Sequence, residues 1–271
     1  MTKTKRIILV LLILIFAFVF AYSGFVLLRE YTMRERDSKT FDDLADLILL
    51  PEVSDDTLRD ESSSSESSFD ENESTESDDI ADAEPVVVHK RNLQPIISKN
   101  SDCLGWIYIE DSAVDYPVMH TPNDPEKYIN LSFDWKYSAY GVPFMDYRCH
   151  ENCDNIILYG HNMKDGSMFA TVRRFMDEDF FYSHPQIEFE TVDGCKTYSV
   201  FAIVSLKSAD PWYSYHDFND KATFEENVKK MRAKSLYKKD VEVEFGKKII
   251  TLSTCYGAAR DDRIIVLAVE E

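Results

Sequence analysis

A cysteine, a histidine and an arginine each stand beside a strand-like run in this sequence. Cys255 ends the β-branched, polar run Thr-Leu-Ser-Thr-Cys at 251–255, and Arg263 opens the apolar run 264–269 eight residues later. His161 follows another short apolar run. A thiol can attack a carbonyl carbon, an imidazole can move protons and a guanidinium can stabilise the oxyanion that develops. These residue types at strand ends therefore predict acyl transfer through a thiol.

Arg260 is the alternative to Arg263 as the oxyanion donor. Both lie close to Cys255 in the chain, but Arg263 begins a strand-like run, whereas Arg260 lies in the turn-like segment 257–262. A strand holds a donor more precisely than a turn does. We therefore expect Arg263 to be the donor, and Arg260 to be solvated or paired with a neighbouring aspartate.

The predicted strand that ends at Cys255 also brings Ser253 into the site. Side chains two positions apart on a strand point to the same face of the sheet. Ser253 is two residues before Cys255, so we expect its hydroxyl to contact a bound substrate.

Several short motifs of the chain resemble those of sortases, most closely the class B enzymes. The resemblance covers roughly residues 90–271, and the order and spacing of the motifs make it specific. The motifs are Gly-Trp-Ile at 105–107, Asp-Tyr-Pro-Val at 115–118, Phe-Met-Asp-Tyr-Arg at 144–148, Tyr-Gly-His-Asn-Met at 159–163, Lys-Asp-Gly-Ser-Met-Phe at 164–169, and Thr-Leu-Ser-Thr-Cys at 251–255 with its downstream arginine.

Sortases are membrane-anchored cysteine transpeptidases that attach proteins to the cell envelope of Gram-positive bacteria. The resemblance implies that Cys255 attacks the threonine carbonyl of a sorting signal near the C-terminus of a surface protein. The resulting thioacyl enzyme passes that protein to an amine of a cell-wall peptide or of another surface protein. His161 would protonate the leaving amine and deprotonate the incoming one, while Arg263 binds the carbonyl. This chemistry needs no metal and no cofactor.

Two other classes of protein are alternatives to a sortase. One is a secreted papain-like cysteine hydrolase, but such enzymes usually place the cysteine before the histidine in the chain and at the start of a helix. Here His161 precedes Cys255, which ends a strand-like run. The other is a non-catalytic surface-binding barrel, which has no need to bring a cysteine, a histidine and an arginine together.

The N-terminus predicts a membrane anchor. Residues 7–28 are 22 residues without a charge, and a helix of that length spans about the 30 Å core of a bilayer. Basic residues within 1–6 favour an N-terminus inside the cell. We therefore expect a single-pass protein of the cell membrane with its catalytic domain outside. A cleaved signal peptide with a small-residue site at 21–23 is the alternative, although the apolar run is long for one.

Two segments separate the expected anchor from the catalytic domain. Residues 29–51 have apolar residues near helical spacing, which predicts a juxtamembrane helix. Packing on the catalytic domain and binding to the lipid surface are both open to this helix. Residues 52–84 contain fourteen acidic residues, nine serines and one arginine, so they carry −13 of the net charge of −19. Such a segment buries too little apolar surface to fold and is expected to be a disordered, extended linker. Nothing in the sequence indicates nucleic-acid binding.

Residues 85–271 have the size of one domain and a mainly β pattern. Helices are expected at 168–175 and 223–236, with a third near 90–99. The pattern favours a closed or nearly closed β-barrel with peripheral helices, and the resemblance implies eight strands. The strand-like segments are 105–109, 116–119, 142–145, 155–158, 186–190, 197–206, 241–245, 248–253 and 264–269.

The chain has five cysteines, and this odd number leaves at least one free thiol. Cys149 and Cys153 flank His150, which suggests part of a zinc site. The sequence offers no second ligand pair at a suitable spacing, so we expect no metal. Cys103 and Cys195 lie beside strand-like runs and are expected to be packing residues.

Overall fold

The computed structural model describes residues 3–49, 88–150, 152–257 and 259–271, so the expected linker at 52–84 lies outside the described residues. Within those ranges the chain forms five α-helices and eight strands. The helices are α1 (Lys3–Ile48), α2 (Gln94–Lys99), α3 (Ala170–Arg174), α4 (Glu178–Ser183) and α5 (Lys221–Lys234). The strands are β1 (Cys103–Tyr108), β2 (Asp115–Met119), β3 (Phe144–Met145), β4 (Asn155–Tyr159), β5 (Gln186–Thr191), β6 (Gly194–Lys207), β7 (Ile249–Cys255) and β8 (Asp262–Glu270).

The strands close into one barrel in the order β1-β2-β3-β4-β7-β8-β6-β5, and β5 pairs with β1. The pairs β2–β3 and β4–β7 are parallel, and the other neighbours are antiparallel. Closure leaves no unpaired sheet edge. The predicted fold class, an eight-stranded barrel with peripheral helices, is confirmed.

Strand β7 lies in the middle of the most buried part of the sheet. Its first six residues are all buried, and only the last, Cys255, is exposed. β4 lies parallel to it on one side and β8 antiparallel on the other. Its register is defined on both sides, because β7 pairs along its whole length with β8 and over five residues with β4.

One predicted strand, 241–245, is wrong. The segment is an irregular connection between α5 and β7, although it alternates between apolar and acidic residues. The closed barrel offers no edge with which it could pair. A side chain, and not a neighbouring strand, bonds to its backbone: the Arg232 guanidinium of α5 donates to the Val241 carbonyl.

The helices agree with the sequence in three of four places around the barrel. The segments near 90–99, 168–175 and 223–236 correspond to α2, α3 and α5, whereas α4 was not predicted. Its local signal is Asp177, whose carboxylate accepts a hydrogen bond from the Phe180 amide and caps the helix. A helix of six residues is too short for a clear apolar period.

Helix α1 continues without a break from the apolar N-terminal run into the segment expected to form a separate juxtamembrane helix. Between Val10 and Ile48 it is long and apolar enough to cross a membrane by length and composition. Its C-terminal part packs on the barrel, where Phe41, Leu44 and Ile48 are 5%, 3% and 1% exposed. This end of α1 is therefore part of the hydrophobic core.

The chain returns to the end of α1 before it enters the barrel. Leu49 pairs with Arg91, and the Asn92 amide donates to the Ile48 carbonyl at 2.7 Å. The C-terminal part of α1 therefore contacts the barrel directly, and packing fixes the spacing between this part of the helix and the barrel.

The docking of α1 makes a stability prediction. Leu44→Ala should lower the free energy of unfolding by about 2–5 kcal/mol, because it removes a buried side chain and leaves a cavity. For a domain of this size, that is a decrease of at least ~4 °C in Tm. Leu47→Ala is the matched control, since Leu47 lies on the same helix and is 40% exposed. Thermal unfolding of the full chain in detergent measures both, and equal Tm values for the two variants would contradict the packing.

Candidate active site

The barrel brings the three predicted residues to one end of adjacent strands. In the parallel β4–β7 ladder, Tyr159 is level with Ser253. His161 and Cys255 each lie two residues beyond that pair, so they lie at the same edge. Arg263 lies directly opposite Cys255 in the antiparallel β7–β8 ladder. All three residues line one cleft of about 290 Å³.

Cys255 is the accessible thiol among the five cysteines. It is exposed, whereas Cys103, Cys149 and Cys153 are buried and Cys195 is half-buried. Burial raises the pKa of Cys103 to about 12 and that of Cys195 to about 11, which disfavours their thiolates. Cys255 is therefore the best placed of the five to act as a nucleophile.

Hydrogen bonds tie the end of β7 to the segment that carries the histidine. The Asn162 amide nitrogen donates to the Cys255 carbonyl at 2.9 Å, and the Thr254 hydroxyl donates to the Gly160 carbonyl at 2.7 Å. These bonds lie on either side of His161 in the chain. The backbone segments that carry Cys255 and His161 are thus held together.

His161 is oriented by a backbone carbonyl. Its Nε2 lies 2.8 Å from the Ile129 carbonyl oxygen. Because a carbonyl can only accept, Nε2 must carry the hydrogen, which leaves Nδ1 as the basic nitrogen of the neutral ring. The sequence did not indicate an aspartate or asparagine that would orient His161. A main-chain carbonyl 32 residues away could not be predicted either, because it does not depend on the identity of a side chain.

Arg263 is oriented by the turn that precedes it. Its Nη1 donates to the carbonyls of Arg260 at 2.7 Å and of Asp262 at 2.9 Å. The Arg260 side chain is exposed and does not line the cleft. Arg260 thus supports Arg263 through its main chain.

Ser253 lines the floor of the cleft but is only 1% exposed. Its hydroxyl lies 2.8 Å from the Tyr213 hydroxyl. The Tyr213 ring stacks on Tyr159, with centroids 6.2 Å apart. Burial raises the pKa of Tyr213 to about 12, so its phenol is neutral and can donate to the serine. The serine hydroxyl is therefore positioned by a tyrosine that the sequence analysis did not identify.

Asp146 is a buried carboxylate that contacts Tyr159, the residue on which the Tyr213 ring stacks. Asp146 accepts from the Tyr159 hydroxyl at 2.8 Å and from Arg148 Nε and Nη2 at 2.9 and 2.7 Å. Burial alone would raise the pKa of Asp146, but the hydrogen bonds from Arg148 and Tyr159 outweigh it and hold the pKa below its usual value. Arg148 lines the cleft. The motif at 144–148 contained these residues, but nothing in their spacing revealed the contact with Tyr159.

The possible metal ligands do not converge. The Cys149 and Cys153 sulfurs approach the Asn155 carbonyl at 3.5 and 3.4 Å, whereas His150 is exposed and lies 3.2 Å from Asp217. In the part of the chain that the structure describes, no group of three or more cysteine, histidine or acidic side chains could hold a metal ion. The geometry offers thiol chemistry at Cys255 instead.

Comparison with known proteins identifies the family of the chain. A sortase-domain family model matches residues 107–271. The chain is 38% identical over 169 residues to sortase B of Listeria monocytogenes, a match that covers 61% of this chain and 66% of the relative. It is 30% identical over 188 residues to sortase B of Staphylococcus aureus, covering 66% of this chain and 76% of the relative.

Solved structures give the same result. A Staphylococcus aureus sortase B–substrate complex aligns with a TM-score of 0.62 and 29% identity, over 66% of this chain and 84% of that one. Sortase B from B. anthracis, in complex with AAEK1, aligns with a TM-score of 0.60 and 32% identity over the same shares. The resemblance found in the sequence motifs is confirmed. With a matching family model over most of its length and a barrel that superimposes on sortase B structures, the chain belongs to the sortase family of cysteine transpeptidases.

Proposed function

We propose that the protein cleaves a C-terminal sorting signal after threonine and transfers the cleaved protein to an amine. The observation that carries this proposal is one cleft lined by the exposed Cys255 and by the half-buried His161 and Arg263, at the ends of three adjacent strands. The amine belongs to a cell-wall peptide or to another surface protein. The relative from Staphylococcus aureus has been solved as a substrate complex, which supports a sorting-signal substrate here.

In the first half of the reaction, the Cys255 sulfur attacks the threonine carbonyl carbon. His161 holds the thiol proton at Nδ1 and delivers it to the leaving amine as the peptide bond breaks. The Ile129 carbonyl accepts from Nε2, which stabilises the imidazolium while it carries both protons. Arg263 donates to the carbonyl oxygen as negative charge develops there.

In the second half, the incoming amine attacks the thioester carbonyl. His161 now removes a proton from that amine, and the Cys255 thiolate leaves as the new amide bond forms. Arg263 binds the second oxyanion with the same donors. Ser253 is proposed to contact the substrate from the cleft floor. Neither half of the reaction needs a metal or a cofactor.

We further propose that α1 anchors this enzyme in the cell membrane, with the N-terminus inside and the barrel outside. The support is an uncharged run of 22 residues preceded by basic residues, in a helix that is long and apolar enough to span. Outside the membrane, the barrel can meet both the anchored surface protein and the cell-wall amine. The catalytic domain is proposed to occupy residues 85–271, together with the part of α1 that packs on it.

Cys255→Ala should abolish cleavage of a sorting-signal peptide without unfolding the barrel, because an exposed strand-end side chain contributes little packing. Wild-type enzyme mixed with substrate should gain the mass of the acyl fragment at Cys255 in intact-mass and peptide-mapping spectra. Cys195→Ala is the matched control and should retain activity. An acyl adduct on another cysteine, or cleavage by Cys255→Ala, would rule out the assignment.

Arg263→Ala should lower the cleavage rate by roughly 10²–10³, the usual effect of losing one oxyanion donor. Arg263→Lys should also be strongly impaired, since lysine keeps the charge but lacks the planar fork. Arg260→Ala is the control and should leave the cleavage rate almost unchanged, because it keeps the main-chain carbonyl that orients Arg263. Steady-state kinetics decide between the arginines. A large loss of cleavage rate in Arg260→Ala, together with a nearly normal rate in Arg263→Ala, would reverse the assignment.

Ser253→Ala tests whether the serine hydroxyl contacts the substrate. If it does, Ser253→Ala should raise KM or lower kcat more than Tyr213→Phe, which removes the tyrosine hydroxyl but leaves the serine in place. If the serine only holds Tyr213, the two variants should be equally affected. Kinetics of both variants with the same peptide separate these roles, and equal effects would remove Ser253 from the binding site.

A further inference from the structure

Cys149 and Cys153 are two buried thiols that the proposed reaction does not use. They are 3% and 0% exposed and lie in the connection between β3 and β4. A turn brings them together, because the Cys153 amide donates to the His150 carbonyl at 3.1 Å. Both sulfurs then approach the same acceptor, the Asn155 carbonyl oxygen, at 3.5 and 3.4 Å. The fold therefore directs both thiols to one point.

The two thiols also interact with each other. A hydrogen bond from the Cys149 thiol stabilises the Cys153 thiolate and so lowers the pKa of Cys153. The same hydrogen bond, together with burial, raises the pKa of Cys149. In a dithiol of this kind, the cysteine with the lower pKa attacks a disulfide and its neighbour resolves the mixed disulfide. The chemistry of the pair is thus suited to forming a cross-link.

The pair lies against the start of β4, where Asn155 organises its surroundings. The Asn155 amide donates to the His216 carbonyl at 2.9 Å, and its Nδ2 donates to the Tyr215 carbonyl at 2.9 Å. Its Oδ1 accepts from the Thr251 hydroxyl of β7 at 2.7 Å. Residues 211–218, here called the Tyr213 segment, are therefore attached to β4 through the residue that both sulfurs approach.

Two further contacts join the same connection to the Tyr213 segment. Asp154 Oδ2 accepts from the Phe218 amide at 2.8 Å, and His150 Nε2 lies 3.2 Å from Asp217 Oδ2. The segment carries the Tyr213 hydroxyl that contacts the floor of the catalytic cleft. A cross-link between the two thiols would hold the base of these contacts in place.

We propose that Cys149 and Cys153 form a disulfide once the barrel is outside the cell membrane, and that this cross-link holds the Tyr213 segment against the start of β4. Disulfides form and persist in oxidising environments outside the cytosol. The inference rests on the proposed placement of the barrel outside the membrane. It leaves the other three cysteines as thiols, among them the proposed nucleophile.

The oxidant is a low-molecular-weight disulfide. The Cys153 thiolate attacks one of its sulfurs, the S–S bond of the reagent breaks, and one reagent thiolate leaves. The Cys149 sulfur, as its proton departs, then attacks the Cys153 sulfur, and the second reagent thiolate leaves. The reagent gains the two electrons and the two protons that the cysteine pair loses. Because both sulfurs are buried, this exchange takes place during folding or while the connection between β3 and β4 is open.

The first test measures the disulfide directly. Full-length Cys255→Ala protein in detergent, which lacks the accessible thiol, is equilibrated with mainly oxidised glutathione, quenched with acid, alkylated in denaturant and mapped by mass spectrometry. At least ~10-fold more of the Cys149 and Cys153 peptides should be recovered as their mutual disulfide than as two alkylated thiols. Recovery mainly as alkylated thiols, or as disulfides with another cysteine, overturns the proposal.

The second test asks whether the disulfide holds the Tyr213 segment. Hydrogen exchange is compared between the oxidised and the reduced form of the same protein. Amides of Asn155 and of the Tyr213 segment should exchange at least ~5-fold more slowly in the oxidised form, because the cross-link removes open conformations. Equal exchange in the two forms overturns the structural role of the disulfide.

The matched control is Cys149→Ser/Cys153→Ser in the same Cys255→Ala background. Its exchange should not respond to oxidation or reduction, and a response as large as that of the parent protein overturns the assignment to this pair. The comparison of oxidised with reduced parent protein needs no substitution at either cysteine, so it decides the question even if the control variant does not fold.

These measurements are independent of catalysis. Wild-type enzyme that fails to cleave a sorting-signal peptide contradicts the proposed transpeptidase function, while the disulfide is still measured. Acid-quenched cells that express the full chain test the location. Recovery of the disulfide from them supports the proposal, whereas free thiols in cells combined with a disulfide in glutathione contradict the placement outside the membrane and not the pairing of the two cysteines.

Discussion

The parallel pairing of β4 with β7 is the constraint on which the site depends. Because Tyr159 is level with Ser253, a histidine two residues beyond one and a cysteine two residues beyond the other must lie side by side. The antiparallel β7–β8 ladder then places Arg263 opposite the cysteine. A slip of one residue would turn every side chain of β7 to the other face. Such a slip would separate the buried Thr251 and Ser253 hydroxyls from their hydrogen-bond partners, so these contacts fix the register and with it the geometry of the cleft.

The cleft floor shows how a buried strand can carry polar side chains. Thr251 of β7 donates to the Asn155 side chain at 2.7 Å and accepts from the Trp212 indole at 3.1 Å. Two residues further on, Ser253 pairs with Tyr213. A buried polar group without a partner would be costly, whereas a satisfied network makes the core rigid and specific. The segment containing Trp212 and Tyr213 thus supports both the stability of β7 and the position of the serine.

The sequence predicted the side chains of the site better than the atoms that orient them. Cys255, His161 and Arg263 were chosen because their residue types fit thiol chemistry and they lie at the ends of strand-like runs, and the fold brings all three to one cleft. The Ile129 carbonyl could not be found, since every residue has a carbonyl and only the fold brings this one to His161. Tyr213 was missed for a related reason, because it lies in a short irregular segment without a period or motif.

The errors in the fold have equally local causes. The alternation at 241–245 is a valid strand pattern, but a strand needs a partner edge and the closed barrel leaves none. The sequence contains the aspartate that caps α4, but a segment of six residues is too short to show the apolar periodicity of a helix. The apolar spacing in 29–51 did indicate a helix. The boundary after Leu28 was placed where the uncharged run ends, but residues 29–48 contain neither proline nor glycine, and α1 continues through them.

The docking of α1 requires more than apolar contact. Phe41 and Leu44 could pack on the barrel in several rotations of the helix, since apolar contacts are not directional. Asp37 removes that freedom. Its carboxylate accepts from Arg36 at 2.6 and 2.8 Å and from Ser138, whose hydroxyl also accepts from the Tyr140 and Gly141 amides. A buried carboxylate is stable only with such partners in place. One helix rotation satisfies it, and in that rotation Arg34 Nε also lies 3.0 Å from Asp165 Oδ2. The group that fixes the interface therefore also fixes the contact between α1 and the segment that follows His161.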